Sequence, residues 1–219
     1  MQTRIPPIPM REVLHYLGWR GTPVEDSILS QIRDAMNLVQ SELQPNVITR
    51  CFVFGSDGKL EDSVFEPKGA DVKRMLSDCD AALLMAATLG AQSERLLLRQ
   101  QARSSADALI MDAVLSAAIE AVCDEKEQLL REQHLELGRY LTDRFSPGYG
   151  DMPLEQTKEI CAVLQTEKTI GLTVSHSGIM IPRKSVTAIL GVSSTVRPRR
   201  PSRCAACSMN RTCTLRENR

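Results

Sequence analysis

The stretch Arg144-Phe145-Ser146-Pro147-Gly148-Tyr149-Gly150-Asp151 constrains this chain more than any other. Pro147 fixes φ near about −65°, the value a tight turn needs at its second position, and Gly148 can take the positive φ that a type II turn requires next. The pair predicts a rigid bend with little side chain over it, where backbone amides can approach a ligand closely. Arg144 enters the bend with a planar fork of donors suited to a carboxylate or phosphate. Tyr149 leaves it with a flat ring and a polar tip. A purely structural turn produces the same string, so turn and ligand clamp both stand at this point.

The 219 residues, 42% of them hydrophobic, suffice for one buried core plus a tail. The expected division is a single domain over 1–196 and a basic, cysteine-containing tail over 197–219. No apolar run is long enough for a membrane span, and the N-terminus lacks the basic-then-apolar layout of a secretory signal. Cytoplasm is the expected compartment, where seven cysteines read as thiols or metal ligands rather than disulfides. The net charge of zero hides an asymmetry, because seven arginines fall in the last 23 residues against Glu217 alone. The body before position 197 then holds 20 basic and 26 acidic residues, a net of −6. A basic tail suits nucleic acid, an acidic partner or plain solvation. With one Trp and three Tyr there is no aromatic platform for single strands, and nucleic acid is not the expected partner.

Along the chain, residues 10–17 form a short predicted helix stopped by Gly18. An amphipathic helix follows over 25–44, with Ile28, Ile32, Met36, Val39 and Leu43 on its apolar face. Residues 47–54 read as a strand, and Gly55-Ser56-Asp57-Gly58 as a turn returning through 60–65 as the second strand of a hairpin. A short helix over 69–76, a buried small-sided strand over 79–89 and a helix from Ser93 come next. Gly90 makes a strand–glycine–helix junction, a geometry that offers amides to anions.

The longest predicted element spans 106–135. Its apolar face is assigned to Leu109, Ala113, Ala117 and Ala121, flanked by Ile110, Val114 and Val122. Asp112, Ser116, Glu120 and Asp124 recur every four residues as a polar stripe. Such a stripe is either a solvated acidic face or a wall for a cationic ligand. Residues 140–145 lead extended into the bend, and a helix over 154–164 is expected, with Asp151 as its cap. Strands over 169–174 and 185–192 complete an α+β reading: a single domain with a twisted antiparallel sheet and flanking helices.

Three blocks carry a family resemblance. Arg144-Phe145-Ser146-Pro147-Gly148-Tyr149 resembles the R-x-x-P-G-Y segment of the activation domain of cobalamin-dependent methionine synthase. Ser177-Gly178-Ile179-Met180-Ile181-Pro182-Arg183-Lys184-Ser185-Val186, with Gly171-Leu172-Thr173 before it, is similar to that domain's second block. Ala118-Ile119-Glu120-Ala121-Val122-Cys123-Asp124 resembles the acidic helix preceding its arginine, and Thr88-Leu89-Gly90 a block of stand-alone bacterial relatives. The resemblance implies binding of S-adenosylmethionine (AdoMet) and reactivation of an oxidised corrinoid by one electron and a methyl group. It implies that Arg144 pairs with the AdoMet carboxylate, that Ser146, Pro147 and Gly148 line the ligand, and that Tyr149 packs on it or on the corrin. Glu120 or Asp124 would face the sulfonium. No residue is assigned an acid–base catalytic role, because the implied task is positioning. The chain carries no corrinoid module of its own, so cobalamin would sit on a partner methionine synthase or related methyltransferase, with a flavodoxin or ferredoxin as electron donor.

The chain departs from the family pattern in two places. Ala188-Ile189-Leu190-Gly191 stands where the family has bulky aromatics, and the acidic ribose contact has only Asp71, Asp78 and Asp80 as candidates. Separately, Cys204, Cys207 and Cys213 form a C-x2-C set with a third thiol, which suits Zn²⁺ or an iron–sulfur cluster if a fourth ligand joins. That leaves two alternative functions, a non-catalytic metal or iron–sulfur interaction module and an AdoMet-binding sensor. His15, His134 and His176 form no catalytic dyad by spacing, and Cys123 and Cys161 read as core residues.

Overall fold

The computed structural model describes residues 4–19 and 23–196. At its centre lies an antiparallel four-stranded sheet, ordered β1-β2-β6-β3. These strands are β1 (Asn46–Val53), β2 (Ala81–Thr88), β3 (Tyr140–Leu141) and β6 (Ser185–Ser193). Strand alternation divides the core into two. On one face Leu83, Met85, Ala188, Leu190 and Val192 pack against α1 (Met10–Tyr16), α2 (Asp26–Glu42), α4 (Ala91–Gln101) and α5 (Ser105–Glu136). On the other, Ala82, Leu84, Ala86 and Ile189 pack against α3 (Ala70–Leu76), α6 (Gln156–Leu164) and α7 (Thr166–Ile170). β2 is buried along its whole length, which is why it reads as a continuous apolar run rather than an alternating one. The α+β class with an antiparallel sheet and flanking helices is therefore as expected.

The long helix starts at Ser104, whose hydroxyl accepts the Asp107 amide at 3.0 Å. Its buried face runs through Ile110, Ala113, Val114, Ala117, Ala118 and Val122. Leu109, assigned to that face from the sequence, is instead 61% exposed. A four-residue step overshoots the helical repeat by about 40°, so the series that begins at Leu109 winds off the buried side.

Three local expectations are corrected. Residues 60–65 do not form a strand: a single bridge links Phe54 to Leu60, and Asp62 turns into the left-handed region at φ 55°. The strand predicted over 169–174 begins instead as α7. Gln165 at φ 50° ends α6, and the Thr169 hydroxyl turns back to the Gln165 carbonyl at 3.0 Å. Only Thr173–Val174 (β4) is extended, pairing with Met180–Ile181 (β5) in a separate ribbon. Asp151 does not cap α6, whose preceding residue is Glu155 with no side-chain cap. It caps α3 instead, accepting the Ala70 amide at 2.6 Å and the Asp71 amide at 3.1 Å. Among the described residues, no helix is long and apolar enough to cross a membrane.

Candidate functional site

The site is built where the last sheet strand leaves β6. Tyr140 and Leu141 pair with Ser193 and Val192, but Phe145 pairs with Ile189, so the pairing has shifted by one residue between them. That extra residue is a β-bulge, and it exchanges the faces of the side chains beyond it. Phe145 joins the core under α6, while Arg144 points to the opposite side, onto α5. Arg131 of α5 holds the bulge in place. Its guanidinium donates to the Leu141 carbonyl at 2.6 Å, the Thr142 carbonyl at 2.9 Å and the Asp143 carboxylate at 2.9 Å.

Arg144 is received by the polar stripe of α5. Its side chain is only 8% exposed and contacts Glu120 at 3.5 Å, Glu127 at 2.8 Å and Asp124. Burial works against its charge, but Cys123, Glu120, Asp124 and Glu127 outweigh that and hold it protonated. Glu127 also accepts from Arg131 at 2.5 Å, so one carboxylate joins both guanidinium groups. The other half of the stripe receives Lys184, whose ammonium lies 2.8 Å from both the Asp112 carboxylate and the Ser116 hydroxyl. The stripe is thus neither a plain solvated face nor an open wall: it meets two cations of this chain. Cys123 lies buried beside Arg144, and burial pushes its thiol up to about 12.

The bend has the predicted geometry. The Tyr149 amide closes on the Ser146 carbonyl at 3.1 Å across Pro147 and Gly148, and Gly148 sits at φ 89°, a type II turn. Its amides are less bare than expected, since Gly148 N–H is spent on the Met152 carbonyl at 2.9 Å and that of Tyr149 closes the turn. Tyr149 is 64% exposed and free to meet a ligand or partner. After the bend the chain is pinned to α3. A Cβ on Gly69 would stand 2.7 Å from Asp151 Oδ1, and one on Gly150 would stand 2.7 Å from Asp71 Oδ2.

Among the acidic candidates, Asp71 is therefore brought to the bend, though it also pairs with Arg74 at 3.1 Å. Asp80 is committed to Arg139 and the Ser194 amide at the far end of β6. The junction at Gly90 is occupied by the chain itself. Glu94 in the first turn of α4 takes the Arg183 amide at 2.7 Å and its guanidinium at 3.2 Å. Cys204, Cys207 and Cys213 lie outside the described residues. Among those described, no three potential ligands gather to hold a metal ion, Cys51, Cys123 and Cys161 are free thiols, and the Cys79 thiol donates to the Met75 carbonyl at 3.7 Å. Sequence reading missed Glu127, Arg131 and Asp143. The signal was there, because a stripe followed at four-residue steps continues at a three-residue step once helical drift is allowed, and Glu127 is that next member.

Comparison with known proteins bears out the resemblance. Residues 120–197 match the model of the family described as vitamin B12 dependent methionine synthase, activation domain. The crystal structure of the MetH reactivation domain bound to AdoHcy superposes with a TM-score of 0.64 at 16% identity, covering 90% of this chain and 79% of that one. No curated protein matches the chain by sequence.

Proposed function

We propose, for a chain whose segment 120–197 matches that activation domain and whose fold is that of the reactivation domain, that it binds AdoMet and supports reductive methylation of a corrinoid. The corrinoid is carried by a partner methionine synthase or related methyltransferase. AdoMet supplies an electrophilic methyl group there, after one electron from a donor such as a flavodoxin or ferredoxin.

The observation that carries this reading is the acidic wall of α5 against the buried Arg144 guanidinium. Glu120, Asp124 and Glu127 of α5 all lie against the Arg144 guanidinium, and Glu127 and Asp143 against that of Arg131. This acidic wall suits a ligand with a sulfonium and an ammonium, while the shared guanidinium suits its carboxylate. In this proposal Asp124, 67% exposed at its side chain, turns from Arg144 to the ligand. Arg144 then divides its donors between Glu127 and the ligand carboxylate. Ser146, Pro147 and Gly148 form the floor, and Tyr149 covers it or meets the corrin. The protein's work is orientation, since methyl transfer needs an in-line approach.

Mixing the protein with a cob(II)alamin-loaded partner, a reductant and methyl-labelled AdoMet tests the proposal. Label on the corrinoid is the expected result. Binding of AdoMet without label transfer would leave a sensor instead. Arg144→Ala should weaken AdoMet binding by about 1.5–3 kcal/mol, the range for a charged hydrogen bond. Undiminished binding in that variant would remove Arg144 from the site.

A further inference from the structure

Arg144 reaches α5 because the backbone just before it is irregular. In a regular antiparallel strand the N–H and C=O of one residue point to the same side, and those of the next residue to the other. Thr142 departs from that pattern. Its N–H goes to the Gly191 carbonyl of β6 at 3.0 Å, while its C=O turns outward to Arg131 at 2.9 Å. The Leu141 carbonyl faces the same guanidinium at 2.6 Å, so two successive carbonyls are gathered on one side of the chain. Carbonyls turned in this way need donors there, or the bulge is left unpaired. Arg131 supplies them with only 18% of its side chain exposed. All three of its nitrogens donate: Nε to Glu127, Nη1 to Leu141, and Nη2 to Glu127, Thr142 and Asp143.

A second link runs through side chains. Glu127 accepts from Arg131 with Oε1 at 2.5 Å and from Arg144 Nε with Oε2 at 2.8 Å. The Arg144 guanidinium is thus aimed from both of its ends, by the bulge that sets the face of its Cα and by the carboxylate that holds its Nε. Both restraints lead back to Arg131. We infer that Arg131 is the positioning residue for recognition of the ligand's carboxylate: without touching the ligand, it sets where Arg144 presents its donors. This inference rests on the AdoMet reading for the identity of the ligand. It also fixes the residue type at 131. A planar fork spans four acceptor groups on two elements, whereas the lysine ammonium is a point charge on a flexible stem and keeps the charge without the geometry.

The test is calorimetry on the full chain with S-adenosylhomocysteine and with its decarboxylated analogue, S-adenosyl-3-thiopropylamine. Wild type, Arg131→Lys, Arg144→Ala and the double variant are compared. Arg131→Lys should lower the affinity for S-adenosylhomocysteine by about tenfold and leave that for the decarboxylated compound unchanged. Added to Arg144→Ala, the same substitution should change neither affinity further, because the group it aims is gone. Unchanged binding of S-adenosylhomocysteine by Arg131→Lys would overturn the inference while leaving AdoMet binding intact. So would an equal loss for both compounds, or losses that simply add in the double variant, since a residue serving the fold at large behaves in that way. Failure of wild type to bind S-adenosylhomocysteine at all would instead remove the AdoMet reading, and this role with it.

Discussion

Removing Glu127 should loosen two cations at once. Its carboxylate lies 2.8 Å from Arg144 Nε and 2.5 Å from Arg131 Nη2, with only 15% of the side chain exposed. Breaking a buried ion pair from one side costs about 3–5 kcal/mol when the remaining charge is left alone. Here neither arginine is left alone. Arg144 keeps Glu120 and Asp124, and Arg131 keeps Asp143 and two strand carbonyls. The expected cost of Glu127→Ala is therefore about 1.5–3 kcal/mol, the range for hydrogen bonds to charged groups. In a chain of this size that lowers the melting temperature by roughly 3–12 °C. Urea denaturation of wild type, Glu127→Ala, Arg131→Met and the double variant measures it. The double variant should lose less than the sum of the singles, because the shared contact is counted twice. A Glu127→Ala change within about 0.5 kcal/mol of wild type, the range of an ordinary surface substitution, would refute a joined network.

Further outcomes follow from the bend and its neighbours. Gly148→Ala should cost about 1 kcal/mol or more by urea denaturation, because φ 89° disfavours a Cβ, which would also stand 3.3 Å from Leu154. Gly191→Ala should cost about 1–3 kcal/mol by overpacking, since its Cβ would run into Cys79 Sγ and crowd Leu76 and Thr142 at 3.1 Å. The amides of Asp71 and Ala70 hold the Asp151 carboxyl below the usual aspartate range. Its contribution to stability is present above about pH 3.9 and fades as pH falls through the lower folded value, so wild type and Asp151→Asn should converge in acid melts. Cys123, with its thiol near 12, should resist a thiol reagent at pH 8 until the protein unfolds, whereas Cys51 is exposed. Rapid modification of Cys123 in the native protein would contradict its burial.

How far the sequence speaks depends on whether an interaction is local. Pro147-Gly148 dictates its own turn type, and the structure keeps it. The apolar face of α2 is likewise local, and Ile32, Val39 and Leu43 are buried as its spacing requires. Asp151 shows where local reasoning stops. It stands five residues before α6 and looks like that helix's cap, yet it serves α3, whose amides lie 80 positions away in sequence. The destination of Arg144 is equally non-local, because a one-residue bulge decides which face of the sheet its side chain takes. Periodicity reports a strand's alternation but not an interruption in its pairing. The threonines of 166–169 favour a strand by propensity, and hydrogen bonds from their hydroxyls to backbone carbonyls turn the segment helical instead.

The bend is moored at both ends, by Arg144 to α5 and by Asp151 to α3, two helices on opposite faces of the sheet. A loop tethered in this way surrenders its conformational freedom when the protein folds, long before any small molecule arrives. Little ordering is then left to oppose association, so for a bend held in this way affinity would be governed by fit and charge rather than by the cost of gathering a floppy segment.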